Sequence, residues 1–127
     1  MHRVEINSPH APQPAGGYAQ AILVDQPIRW LYISGQIPED TDGNVPDNFD
    51  EQCRLVWRNI SAQLDAAGMS LDNLVKVTTF LSHPTFRTAN TRIRNDVLGE
   101  RRPALTIILC DIYAAKWLLE IEAVAAA

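Results

Sequence analysis

The chain has 127 residues, 46% of them hydrophobic and 20% charged, which is the size and balance of one globular domain over residues 1–127 and excludes a second. Its formal net charge of −4 argues against a nucleic-acid partner, because holding phosphates needs clustered Lys and Arg. The opening Met1-His2-Arg3-Val4-Glu5 lacks the apolar stretch of a secretion signal and no run reaches the length of a membrane helix, so a cytoplasmic protein with no membrane partner is expected.

In chain order, Val4 to Ile6 is a short candidate strand, ended by Asn7-Ser8-Pro9 and a loop through Gly17. Ala19 to Val24 and Trp30 to Ile37 then read as a hairpin joined through Asp25-Gln26-Pro27, and Pro38 to Asp47 has loop composition. Phe49, Cys53, Val56, Trp57, Ile60 and Leu64 recur at helical spacing, predicting a helix over Asn48 to Ala67 with Gly68 as its stop. Leu74 to Leu81 is the next strand. A second helix follows over Thr85 to Leu98, with Phe86, Ala89, Ile93 and Val97 inside and Gly99 at its end. Ala104 to Cys110 and Trp117 to Ala125 complete an α+β domain.

Two amphipathic helices can cover one face of a sheet of about five or six strands. Yet Leu105, Ile107 and Leu109 oppose Ile108 and Cys110, and Trp30 and Tyr32 oppose Leu31 and Ile33, so both faces carry apolar side chains. At about 25 cal/mol per Å2, leaving several of them wet forfeits several kcal/mol, comparable to the stability of a small domain. A partner chain is the expected cover; the alternative is that the loops Gly16-Gly17 and Asp111 to Lys116 fold over that face.

Cys53 and Cys110 are too few for a disulfide framework, and each lies in an apolar periodic segment where a small buried residue fits. His2, His10 and His83 are scattered without metal-ligand spacing, so no metal is expected. Arg87, Arg92, Arg94, Arg101 and Arg102 read as a solvated basic face.

Several segments carry a resemblance: Ala11-Pro12, Gly16 to Ile22, Ser34-Gly35-Gln36-Ile37-Pro38, Arg102-Pro103-Ala104-Leu105-Thr106 and Glu120-Ile121-Glu122-Ala123-Val124-Ala125. Together they resemble the reactive-intermediate deaminase (RidA/YjgF) family from about Ser8 to Ala125. The resemblance implies a chorismate-mutase-like fold with two helices on one face of the sheet, assembled as a barrel-like homotrimer with small-molecule clefts between subunits and no cofactor. Glu120 matches the acidic residue that handles water in imine hydrolysis, and Tyr18, Ser34, Gly35 and Asn90 match cleft residues. At a subunit boundary, desolvation would suit Glu120 to deprotonating a water. Leu105 stands where the family has its carboxylate-binding arginine, and Ile107 where a cysteine or other small residue is common. Arg101 shares the parity of Leu105, but four strand residues span about 13 Å.

Losing a charged hydrogen bond worth roughly 1.5–3 kcal/mol predicts weak or absent hydrolysis of 2-aminoacrylate. The resemblance therefore implies a cofactor-free imine or enamine hydrolase with a substrate less dependent on a carboxylate anchor. The competing expectation is a non-catalytic small-molecule-binding or regulatory trimer. RNA cleavage, attached to the family name in places, is disfavoured by the acidic charge and the lack of a His or Lys catalytic pair.

Overall fold

The structure, a computed structural model, describes residues 1–127. It contains six strands and two α-helices: β1 (His2–Ile6), β2 (Ala21–Asp25), β3 (Trp30–Gln36), α1 (Phe49–Ala66), β4 (Leu74–Leu81), α2 (Arg87–Leu98), β5 (Ala104–Leu109) and β6 (Leu119–Ala126). Short 3-10 turns at Leu71–Asn73 and Pro84–Phe86 precede β4 and α2.

Local chemistry sets the helix limits. Asn48 caps α1 by accepting the Glu51 N–H at 2.9 Å, and Asp50 and Glu51 place negative charge at the positive end of the helix dipole. Beyond its last turn Gly68 takes φ +71°, a left-handed conformation that favours glycine. The predicted stripe is the core: Cys53, Val56, Ile60 and Leu64 are completely buried, together with Leu74, Val77 and Leu81 of β4 and Leu119 and Ile121 of β6. Burial pushes the Cys53 thiol up to about 12.

The main sheet has the order β3-β6-β4-β5, antiparallel except between β4 and β5, and α2 makes the crossover joining that parallel pair. Both helices lie on one face, with α1 against β3 and β6. The expected β2–β3 hairpin does not form. β2 pairs with β1 as a separate antiparallel ribbon, and β3 pairs with β6. Just before β3, Ile28 and Arg29 donate their N–H groups to the Ala127 carbonyl, so the chain is committed to the C-terminal strand as soon as it leaves the turn at Gln26.

The face turned away from the helices is mixed rather than apolar. Neighbouring strands align Tyr32 with Val124, Lys76 with Val124, Thr78 with Glu122 and Phe80 with Glu120. Trp30 and Tyr32 are stacked on it at 6.5 Å and are 46% and 76% exposed. The loops proposed as its cover are held elsewhere. Gln52, buried on α1, donates to the Pro46 and Lys116 carbonyls at 2.9 and 3.0 Å and accepts the Leu118 N–H at 2.8 Å, which ties the loop before β6 to the helix layer. The Gly16-Gly17 loop joins the start of β5, where the Ala19 N–H reaches the Pro103 carbonyl at 3.2 Å. Cys110, expected to be buried, is exposed just past the end of β5, where the strand leaves the cover of the helices.

Candidate functional site

On the open face, Glu120 and Glu122 point the same way while Ile121 enters the core, as the strand period requires. The two glutamates differ in setting: Glu120 is half-buried and Glu122 exposed. Beside Glu120, β3 gains an extra residue relative to β6, since Ile33 faces Ala123 while Gln36 faces Ile121. This bulge falls at Ser34-Gly35 and brings the strand close to the carboxylate. Gly35 is glycine for space, because the Glu120 carboxylate occupies the volume a Cβ would need. None of the four ion pairs of the chain involves Glu120 or Glu122. Next to them, Tyr32, Ser34, Lys76, Thr78, Glu122 and Val124 line a shallow depression of about 280 Å3. Lys76 there donates to the Thr106 hydroxyl at 2.6 Å.

Leu105 and Ile107 lie on the other side of the sheet. Their partners on β4 are Val77 and Thr79, both buried against the helix layer, whereas Glu120 aligns through Phe80 with Ile108. Leu105 is half-buried against the core, and Ile107 is 40% exposed at the sheet edge. Within one chain, then, Ser34, Gly35 and Glu120 come together, while Leu105 and Ile107 sit across the sheet from them. Tyr18 is next to the Ala19–Ala104 bridge, and its hydroxyl accepts the Ala15 N–H at 3.1 Å. Asn90 is buried on α2.

Arg101 and Arg102 do not take the place of the arginine missing at 105. Arg101 is engaged by the Asp72 carboxylate at 2.6 Å and the Leu98 carbonyl at 3.2 Å, and Arg102 stands 3.6 Å from Glu5. Arg94, grouped with a solvated face on sequence, is instead 4% exposed. Burial holds its guanidinium below the ordinary arginine range, with Tyr18 opposing the shift. Its spacing could have shown this: Asn90, Ile93, Arg94, Val97 and Leu98 follow the i, i+3, i+4, i+7, i+8 pattern of a helix inner face.

Comparison with known proteins agrees with this arrangement of strands and motifs. Residues 8–127 match the model of the family described as Endoribonuclease L-PSP. A RutC family protein of Pyrococcus horikoshii is 36% identical over 122 residues, covering 94% of each chain. The 2-iminobutanoate/2-iminopropanoate deaminase of Rattus norvegicus is 38% identical over 82 residues, which are 63% of this chain and 58% of that one. A crystal structure of a protein of the conserved Rid family from Yersinia pestis superposes with a TM-score of 0.85 at 25% identity over the whole of both chains. Fold, sequence motifs and matched length together make this chain a member of the RidA/YjgF family.

Proposed function

We propose that the chain is a cofactor-free hydrolase of the deaminase type, acting on a small imine or enamine in clefts between copies of itself. Water adds to the C=N carbon, the C–N bond breaks, and ammonia leaves as the carbonyl forms. The observation that carries the reading is Glu120. Its carboxylate is half-buried, lies over a glycine that leaves it room, and is held in no ion pair, so its lone pairs remain available to a water. The names of relatives that are 2-iminobutanoate/2-iminopropanoate deaminases support the reaction class.

Ser34 and Gly35 border the same carboxylate, and Tyr18, Asn90, Leu105 and Ile107 would complete the cleft from a neighbouring copy. For Leu105 and Ile107, their place across the sheet from Glu120 supports that division. Leu105 offers an apolar wall where a guanidinium would bind a carboxylate bidentately, so 2-aminoacrylate is handled weakly if at all. Replacing Glu120 by Gln keeps the shape and removes the proton acceptor. In Glu120→Gln, ammonia release from an imine substrate generated in situ should fall to the spontaneous rate while assembly is unchanged; undiminished turnover would remove Glu120 from the mechanism.

A further inference from the structure

Charge is scarce on the main sheet and lies all on one side of it. Among the residues of β3, β4, β5 and β6, Lys76 is the only cation and Glu120 and Glu122 are the only anions. All three are on the open face. Lys76 shares the side of Thr78 and Phe80, which align with Glu122 and Glu120, while the alternating Val77, Thr79 and Leu81 are buried against the helices. Trp30 and Tyr32 stand on the same face, 46% and 76% exposed, so it carries large apolar surface as well as charge. A partner that covers the aromatic pair also takes water from Lys76 and the glutamates, and a charge left unpaired out of water is costly.

Within one chain the opposite charges stay apart. Lys76 and Glu122 border the same depression, yet neither makes an ion pair. The Lys76 ammonium donates to the Thr106 hydroxyl at 2.6 Å, so it leans over β5, whereas Glu122 stands on β6 on the far side of β4. Adjacent strands are about 4.8 Å apart, which separates the two positions by about 10 Å across the face. A cation and an anion displaced in this way form a patch complementary to a shifted copy of itself. The contact is head-to-tail: the Lys76 side of one copy meets the Glu122 side of the next, and each copy keeps one charge for a further neighbour, as a closed ring requires. Glu120 is reserved for water under the proposed reaction, which leaves Glu122 as the counter-charge of the one lysine.

We propose that Lys76 of one copy pairs with Glu122 of the next where copies of the chain cover the open face; this rests on the reading above that the chain works as an assembly with clefts between copies. A second copy is the occupant that suits the face. It brings a carboxylate for the lysine, a lysine for the carboxylate and the same exposed aromatic surface. The pair fixes the register between copies, since a slipped or inverted contact sets like charges together or leaves both without a partner.

The test is light scattering and sedimentation of the full chain at micromolar concentration, with far-UV circular dichroism as a check on folding. Lys76→Glu and Glu122→Lys each set like charges against one another and should raise the dissociation constant of the assembly at least about tenfold. The double variant Lys76→Glu/Glu122→Lys should assemble as the parent does. An equimolar mixture of the two single variants should assemble better than either alone, because two of the three contacts in a mixed ring regain opposite charges. A pair within one chain would be rescued in the double variant but not by mixing. If a reversal fails to fold, Lys76→Gln carries the test: it should dissociate more readily than the parent, and adding Glu122→Gln should recover part of the loss. Single variants that assemble as the parent does, a double variant no better than the singles, or a mixture no better than its components would overturn the pair and leave the assembly standing. A parent that scatters as a single chain would overturn both.

Discussion

Leu105 and Cys53 show how one side chain can set a property of the whole protein. If Leu105 alone accounts for weak handling of imino acids, Leu105→Arg should raise 2-aminoacrylate hydrolysis by about ten- to hundredfold, the equivalent of one charged hydrogen bond. Ammonia and pyruvate release above the spontaneous rate would measure it. No gain in a folded variant means that the pocket differs at a second position, with Ile107 the next to change. Cys53 bears on stability at high pH. Burial moves its thiol from 9.0 to about 12, so in that interval the unfolded chain gives up a proton that the folded chain keeps. Its contribution is fully present below pH 9 and is lost at about 1.4 kcal/mol per pH unit as the pH rises towards 12. Urea unfolding of Cys53→Ala should show a shallower alkaline decline than the parent; parallel curves would assign the decline to other groups.

Among the elements, Gln52 joins α1 to two loops at once. Gln52→Leu removes three hydrogen bonds and strands the Leu118 N–H and two carbonyls, which should cost about 2–3 kcal/mol in urea unfolding with the m-value unchanged. A loss below about 1 kcal/mol would mean that water replaces the amide. Both helices were legible in the sequence because their stripes recur at 3.6 residues and their ends carry Asn48, Gly68 and Gly99. Strand pairing was less so. The alternation of β2 fits any antiparallel neighbour, and the true partner of β3 lies at the far end of the chain, where no local turn announces it. In the candidate site, the Glu120-Ile121-Glu122 alternation was readable, whereas the bulge that sets Gly35 against Glu120 depends on register between distant strands. Arg94 was misread by its charge, although its spacing belonged to the inner face.

For the whole molecule, the open face of the main sheet and the β5 edge are the surfaces a partner would cover. Trp30, Tyr32, Ile107, Ile108 and Leu109 are each at least 40% exposed. The proposed homotrimer predicts three chain masses by light scattering at micromolar concentration, and a single chain mass would sink it. Ile107→Asp should break assembly or folding, because it places an unpaired charge at the covered edge. The strand order has a further effect on how the molecule is made. β6, late in the sequence, lies in the interior of the sheet between β3 and β4, and pairs Trp30 with Ala126. During synthesis on the ribosome, β3 must wait without its ladder partner until β6 emerges, so β3 and the β4–β5 pair are joined into one sheet only when the last strand is made.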